Sequence, residues 1–155
     1  MEVPENLSFE EAASIPETWL TAWKLISLYG KPNEGDFVLV HAGASGVGVA
    51  ATQMITKHFG AKVISLCSSQ EKIDFCVSWG ATAGINYKEH PDFNEQVMEI
   101  TSGAGVNVIL DCVAASAFAP NLASIVIDGR WVLYGMLGGP ELPGLNLAHL
   151  MRKRV

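Results

Sequence analysis

The chain has 155 residues, 49% of them hydrophobic, and a formal net charge of −6 at pH 7. This length predicts one globular domain that can bury a substantial core. The acidic balance and the lack of a basic stripe argue against nucleic acid as a partner, and no apolar run approaches the ~20 residues of a membrane-spanning helix. The acidic segment 1–5 lacks the basic and apolar regions of a signal peptide, so we expect a cytoplasmic protein.

The cysteines and histidines show no metal-binding pattern. Cys67, Cys76 and Cys112 are odd in number and separated along the chain, which predicts neither a disulfide framework nor a Cys-x-x-Cys metal pair. We expect buried thiols in a reducing compartment. The four histidines lack paired-ligand spacing, and His41 at a strand end is expected to pack or to form a hydrogen bond. No metal site is predicted.

Apolar runs typical of β-strands alternate with segments of helical periodicity. Near the start, Ser8 and Glu11 have capping-box spacing for a short helix that Pro16 is expected to interrupt, and a second helix is predicted over about 19–29. Alternating strands and helices predict an α/β fold with a doubly wound parallel sheet of the Rossmann type. About five strands are predicted, at 37–41, 62–66, 84–86, 107–111 and 131–134.

The predicted crossover helices cover both faces of this sheet. The first ends at Gly60, the second runs over 70–79, and the third runs over 92–102. A last helix is predicted over 146–154. Because a sixth strand would be due after that helix, we expect the chain to be truncated before it.

A glycine-rich turn joins the first predicted strand to the first crossover helix. Gly43, Gly46 and Gly48 follow G-x-x-G-x-G rather than the commoner dinucleotide pattern G-x-G-x-x-G. Residues without a Cβ let backbone N–H groups approach phosphate oxygens, and the helix adds the positive end of its dipole. We predict a dinucleotide pyrophosphate site that includes Ser45; the alternative is a purely structural tight turn. The G-x-S-x-G spacing of a hydrolase nucleophile is not present.

The end of the second predicted strand favours NADP(H). An NAD site places an acidic residue about 20 positions past the glycines to bind the adenine ribose, and none is found here. Ser68, Ser69 and Lys72 could instead meet a 2′-phosphate through hydrogen bonds and a positive charge. The alternative is that Ser69 only caps the next helix and that Lys72 is solvated. Glu71 beside them counts against a strongly cationic pocket.

Four segments carry a family resemblance over nearly the whole chain. They are 40–48 (VHAGASGVG), 84–87 (GINY), 103–113 (GAGVNVILDCV) and 128–135 (DGRWVLYG), and they resemble the quinone oxidoreductases of the medium-chain dehydrogenase/reductase superfamily. The resemblance implies a zinc-independent enzyme that uses NADPH to reduce quinones or related α,β-unsaturated carbonyls. Hydride transfer leaves the chemistry to the cofactor, so we assign no catalytic residue.

The resemblance also implies a domain organisation. Residues 1–155 would be the dinucleotide-binding domain, with 1–35 as lead-in helices from a substrate domain that the chain lacks. The full-length protein would be a homodimer that acts on a small-molecule quinone or enone, and this fragment alone would be inactive. The alternative is a non-enzymatic nucleotide-binding or regulatory module, such as a truncated isoform.

Cofactor contacts follow from the same resemblance. The pyrophosphate would lie against Gly46, Val47 and Gly48. The 2′-phosphate would be surrounded by Ser69, Lys72 and Tyr87. The nicotinamide half would be lined by residues after the fourth and fifth strands and by one residue of an early helix, namely Cys112, Val113, Tyr134, Gly135, Met136 and Thr21. The family often has glycine where this chain has Ala114 and Ala115, whose methyl groups would narrow the nicotinamide approach. Asp111 ends a buried strand, and we expect backbone amides to satisfy its carboxylate.

Overall fold

A five-stranded parallel sheet forms the centre of the computed structural model, which describes residues 2–155. The strands are β1 (Phe37–Val40), β2 (Lys62–Cys67), β3 (Ala83–Asn86), β4 (Val106–Asp111) and β5 (Ile125–Leu133). Their order is β3-β2-β1-β4-β5, and each neighbouring pair is parallel. The chain places β2 on one side of β1 and β4 on the other, so the winding direction reverses beside β1. The predicted Rossmann-type sheet of about five strands is confirmed.

Helices connect the strands and cover both faces of the sheet. They are α1 (Phe9–Ala13), α2 (Ile15–Trp23), α3 (Gly46–Lys57), α4 (Gln70–Ser78), α5 (Asn94–Ile100), α6 (Phe118–Ser124) and α7 (Ala148–Lys153). A π-helical segment (Lys24–Gly30) continues α2, and a 3₁₀ turn (Ala115–Ala117) leads into α6. The three predicted crossover helices correspond to α3, α4 and α5, each slightly shorter than predicted. Across residues 2–155, every helix is too short or too polar to cross a lipid bilayer.

The start of the chain contains the predicted capping box. Glu11 N–H donates to Ser8 Oγ at 3.1 Å, and Ser8 N–H donates to Glu11 Oε2 at 2.8 Å, so both ends of the motif at α1 are formed. The expected interruption at Pro16 is wrong. Pro16 lies in the first turn of α2, where backbone N–H groups have no helical acceptor, so proline loses no hydrogen bond there. The break between the two helices falls at Ser14.

Both faces of the sheet are buried, as its apolar strands require. In β1, Val38 and Val40 pack in one core cluster with Ile55 of α3, while Leu39 packs in the other with Val97 of α5. Each of these five side chains is at most 1% exposed. The alternation follows from the two-residue period of a strand. It determines which side chains of β1 face each of the two helical layers.

The region around α6 and β5 differs most from the predicted elements. α6 has no predicted counterpart; Pro120 is near its start, where proline is compatible with a helix. β5 begins at Ile125 rather than at residue 131, and its pairing with β4 shifts register between Val106 and Val108. Asp128 within this strand has a φ of 63°. Such irregularities insert residues into a strand without a periodic sequence signal.

Candidate functional site

Two adjoining cavities open at the carboxyl ends of the central strands, where the strand order reverses. One has a volume of about 420 Å³ and includes His41 and Val113 in its wall. The other, of about 200 Å³, is lined mostly by small and polar residues. Ala42, Leu66 and Tyr87 belong to both walls, so the two cavities are direct neighbours. Ligands of open α/β sheets bind in a crevice at this position.

The predicted glycine turn packs tightly between β1, β2 and α3. A Cβ on Gly43 would lie 2.7 Å from the Ser65 Cβ, and one on Gly48 would lie 2.4 Å from the Gly43 carbonyl oxygen. A Cβ on Gly46 would lie 2.7 Å from the Thr18 methyl group. These separations are too short for a real Cβ, so each of the three positions requires glycine for steric reasons. At Gly48 the clash would be with backbone atoms.

Two amides of this turn remain free for a ligand. The Gly43 N–H donates to a carbonyl of β2, and the Gly48 N–H donates to Ser45 Oγ at 3.1 Å, which makes Ser45 the N-cap of α3. Within residues 2–155, the N–H groups of Gly46 and Val47 in the first turn of α3 have no acceptor, as is typical of a helix start. Combined with the dipole of this 12-residue helix, they form a suitable site for a phosphate anion.

The predicted serine and lysine side chains come together at the start of α4. Lys72 Nζ donates to Ser68 Oγ at 3.2 Å, and Ser69 Oγ accepts the Lys72 N–H at 3.4 Å as the N-cap of the helix. Tyr87, 43% exposed after β3, lines the same cavity. Ser69 therefore does cap the helix, while Lys72 is tied to a neighbour and keeps two further N–H donors. The cluster presents hydroxyl groups and one positive charge to the cavity.

A buried carboxylate organises the loop behind the larger cavity. Asp111 is 0% exposed. It accepts hydrogen bonds from the backbone N–H groups of Val113 (2.7 Å) and Ala114 (3.0 Å), the Asn121 side-chain amide (3.1 Å) and the Trp131 indole (2.9 Å). The expectation that backbone amides satisfy Asp111 is confirmed. The two side-chain donors from α6 and β5 are additional and tie three elements to one carboxylate.

His41 joins the same network through Asn121. The His41 Nε2 lies 2.8 Å from Asn121 Oδ1. Because the Asn121 amide nitrogen donates to Asp111, Oδ1 is the acceptor and His41 carries its proton on Nε2. Burial lowers the pKa of His41, against the opposing effect of the Asp111 carboxylate 3.9 Å from Nδ1. His41 is therefore a neutral hydrogen-bonding residue at pH 7, as expected for its place at a strand end.

The loop after β4 contains a residue in a conformation that favours glycine. Ala114 has a φ of 70° and a ψ of −118°, a region that residues with a Cβ rarely occupy. Its N–H is held by Asp111 at 3.0 Å. The hydrogen bond keeps the loop in place although the alanine is strained. The position matches the one where the resembling family often has glycine.

We expect Ala114→Gly to stabilise the protein. A non-glycine residue in such a region costs about 1–3 kcal/mol, whereas the added freedom of glycine in the unfolded chain costs about 0.4–1 kcal/mol. The net gain in the free energy of unfolding should be about 1 kcal/mol, measured by urea denaturation. Ala115→Gly, at a residue with negative φ, is the matched control and should destabilise. A less stable Ala114→Gly variant would contradict the assigned strain.

The structure separates the residues that the resemblance assigns to the nicotinamide. Val113 lines the 420 Å³ cavity. Thr21 and Tyr134 line a different cavity of about 860 Å³ between the π-helical segment and β5, and Met136 lines one of about 340 Å³ that also touches α6 and α7. The predicted contacts of these residues with a cofactor stay predictions, since they do not share one cavity wall.

Cys112 and Gly135 hold two loops against each other at the edge of the site. A Cβ on Gly135 would lie 2.8 Å from the Cys112 carbonyl oxygen. Leu137 N–H donates to that oxygen at 2.9 Å, and Gly138 N–H donates to the Val113 oxygen at 2.7 Å. Leu137 and Gly138 also line the 420 Å³ cavity, and no motif in the sequence predicts them there. Burial raises the pKa of the Cys112 thiol, so it is protonated at neutral pH.

Side chains that could bind a metal ion are not grouped within the described residues. Among residues 2–155, no three His, Cys, Asp or Glu side chains are placed to hold one metal ion together.

Comparison with known proteins identifies the family. A family model described as zinc-binding dehydrogenase matches residues 46–155. The chain is 34% identical over 137 residues to quinone oxidoreductase-like protein 2 of Rattus norvegicus, a match that covers 88% of this chain and 39% of the relative.

Solved structures agree in fold. Escherichia coli quinone oxidoreductase complexed with NADPH superposes with a TM-score of 0.87 at 33% identity, over 99% of this chain and 46% of that chain. An NAD-dependent alcohol dehydrogenase superposes with a TM-score of 0.90 at 38% identity, over 99% of this chain and 44% of that chain. The chain spans less than half the length of these proteins and corresponds to their nucleotide-binding part. It belongs to the zinc-binding dehydrogenase family of the medium-chain dehydrogenase/reductase superfamily, with quinone oxidoreductases among its relatives.

Proposed function

We propose that this chain binds NADPH as the cofactor domain of a zinc-independent oxidoreductase that transfers hydride to quinones or related α,β-unsaturated carbonyls. One observation carries the proposal: Ser45, the N-cap residue directly before the free amides of Gly46 and Val47, lines the same 200 Å³ cavity as Ser68 and Lys72. The likeness to a quinone oxidoreductase complexed with NADPH supports it. The likeness to quinone oxidoreductases also motivates the absence of zinc, which metal analysis of the whole protein would test.

The residues present fit the chemistry of this cofactor. The two free amides and the helix dipole match a pyrophosphate. Gly43 and Gly48 let the turn pack closely against β2 and α3, which holds those amides in place. Ser68, Ser69 and Lys72 match the doubly charged 2′-phosphate through hydrogen bonds and charge. When bound, NADPH supplies the hydride.

The chain itself supplies orientation. Asp111 fixes the amides of Val113 and Ala114 and, through Asn121, the ring of His41, so this wall of the larger cavity is rigid before a ligand enters. A preorganised wall lowers the cost of holding a ring in one pose. Substrate contacts of the whole protein involve chain beyond the part matched here, since this chain spans 46% of the quinone oxidoreductase.

The rival cofactor is NADH, because an NAD-dependent alcohol dehydrogenase has a similar fold. Lys72→Ala separates the two cofactors. We expect it to weaken NADPH binding about tenfold, as lost charge-assisted hydrogen bonds do, and to leave NADH binding within about twofold, since NADH carries no 2′-phosphate. Calorimetric titration of both nucleotides gives the two dissociation constants.

A remote lysine provides the control. Lys57 lies in the last turn of α3, at the opposite end of that helix from the glycine turn, so Lys57→Ala should leave both dissociation constants unchanged. Equal affinity of the unmodified protein for NADPH and NADH, or equal weakening of both by Lys72→Ala, would contradict the phosphate site.

A second candidate function is a nucleotide-binding module without turnover, favoured by the observation that the chain spans 39% of its rat relative. NADPH oxidation by the whole protein with a small quinone decides between the two. Turnover supports the oxidoreductase, and tight NADPH binding without turnover of any small quinone or enone supports the module.

A further inference from the structure

Two of the three cysteines meet in the interior. Cys67 is the last residue of β2, and Cys76 lies in α4, which packs directly on that strand. Their sulfur atoms are 3.6 Å apart, and the residues are 3% and 1% exposed. The expectation of buried thiols is confirmed for both residues, but the sequence does not predict their contact. The helix brings position 76 back over the strand end, a contact that spacing along the chain does not reveal.

The sulfur pair lies directly beneath the glycine turn and beside the cavity. A Cβ on Gly43 would lie 3.3 Å from Cys76 Sγ. Cys67 is part of the wall of the 200 Å³ cavity, together with Ser68 and Lys72. A small oxidant that enters this cavity therefore comes next to Cys67, whose sulfur contacts that of Cys76.

The surroundings of Cys76 favour the reactive thiolate form. A hydrogen bond from the Cys67 thiol lowers the pKa of Cys76, against the opposing effect of burial, and the same contact raises the pKa of Cys67. Ser65 acts on Cys76 in the same direction as Cys67. Within residues 2–155, the buried Ser65 Oγ has no hydrogen-bond partner. The thiolate is the nucleophilic form of cysteine, and the contact with Cys67 favours that form at Cys76.

We propose that Cys67 and Cys76 form a dithiol–disulfide redox site that hydroperoxides oxidise. A thiolate of the pair attacks the peroxide O–O bond, which breaks and leaves a sulfenic acid on the sulfur and, after uptake of a proton, one molecule of water from hydrogen peroxide. The second thiol then attacks that sulfur, forms the S–S bond and releases a second water. Two thiols and one peroxide thus give one disulfide and two waters, and the peroxide takes up the two electrons.

The disulfide would change the neighbouring serine and lysine cluster. A disulfide needs a sulfur separation of about 2.05 Å, so the two sulfur atoms must approach by about 1.5 Å from their present 3.6 Å, through side-chain rotation and a shift of α4 on the end of β2. The first turn of α4 carries Ser69 and Lys72. Oxidation therefore changes the spacing of the groups that hold the 2′-phosphate, a consequence that rests on the proposed function.

The redox site is tested on the intact protein. Treatment of the folded protein with hydrogen peroxide should lower the thiols titratable after denaturation from three to one, and a dithiol reductant should restore them. Peptide mass spectrometry should find Cys67 joined to Cys76. In the control Cys112→Ser, the remaining two thiols should both disappear. Retention of all three thiols, a bridge that includes Cys112, or separate over-oxidised cysteines would overturn the proposal.

The effect of the disulfide on NADPH binding is measured in a separate experiment. We expect the oxidised protein to bind NADPH at least about fivefold more weakly than the reduced protein, the lower end of ordinary coupling between two sites. Cys76→Ser, which cannot form the bridge, should bind equally before and after peroxide. If the reduced protein binds no NADPH, the proposed function fails while the disulfide result stands. Equal affinity of the bridged and reduced proteins would overturn the link.

Discussion

Replacing Asp111 with alanine is expected to lower the free energy of unfolding by about 3–5 kcal/mol, measured by urea denaturation. The carboxylate is fully buried and accepts hydrogen bonds from two backbone amides and from the Asn121 and Trp131 side chains. Alanine removes both acceptor oxygens and leaves four donors unpaired, of which the Asn121 amide is fully buried and the other three are partly buried. Each unsatisfied buried donor costs about 1–3 kcal/mol, although relaxation and entering water recover part of the sum.

Asp128 provides the matched control. It pairs with Arg154, but the two side chains are 64% and 62% exposed, and ion pairs in water contribute about 0–1 kcal/mol. Asp128→Asn, which removes the charge and keeps a side chain that tolerates the positive φ of this residue, should therefore lower the free energy of unfolding by no more than about 1 kcal/mol. Asp111→Asn should fall between Asp111→Ala and Asp128→Asn, because its amide keeps one acceptor oxygen. An Asp111→Ala variant as stable as Asp128→Asn would show that the network does not hold the loop.

The parts of the fold that follow from sequence are those built from local signals. β1, β2 and β4 are buried on both faces, so they appear as continuous apolar runs. The Ser8 capping box lies within one helical turn. The serine and lysine cluster could be predicted for the same reason: Ser68, Ser69 and Lys72 are close in the chain, and the helix that Ser69 caps brings them together.

Contacts between residues far apart in the chain cannot be predicted from such local signals. The hydrogen bond between His41 and Asn121 joins residues 80 positions apart, and Asn121 lies on α6, which carries no clear apolar stripe. The long β5 with its register shift depends on how the chain crosses from α6, not on a repeat in the sequence. The Cys67 and Cys76 contact depends on how α4 packs against β2. In each case the partner is chosen by tertiary packing.

The sequence predicts the glycine turn, but two of its glycines allow close packing and do not offer free N–H groups to a ligand. The N–H groups of Gly43 and Gly48 are used within the protein, and the free amides belong to Gly46 and Val47. A sequence pattern reports that side chains are missing, and it does not distinguish room for a ligand from room for a neighbouring strand. The structure assigns both uses to one turn.

Gly48→Ala is expected to weaken both stability and nucleotide binding. The new Cβ would lie 2.4 Å from the Gly43 oxygen and 2.6 Å from the Ala42 oxygen, and backbone atoms cannot rotate away. Alanine within a helix normally gains about 1 kcal/mol over glycine, but forcing α3 away from the turn costs about 3 kcal/mol. The free energy of unfolding should fall by about 2 kcal/mol, and NADPH binding should be lost in calorimetry because the free amides move with the helix.

Gly46→Ala, in the same turn, isolates the role of the backbone clash. Its Cβ would meet the Thr18 methyl at 2.7 Å, and a side chain on the neighbouring helix can shift where a carbonyl cannot. We expect a loss of no more than about 1 kcal/mol in urea denaturation. If Gly48→Ala proved as stable as Gly46→Ala, the close approach of α3 to the turn would not be fixed by the Gly43 carbonyl, and the glycine at position 48 would need another explanation. A larger loss for Gly48→Ala would show that this contact holds the first turn of α3, with its two free amides, at the mouth of the crevice.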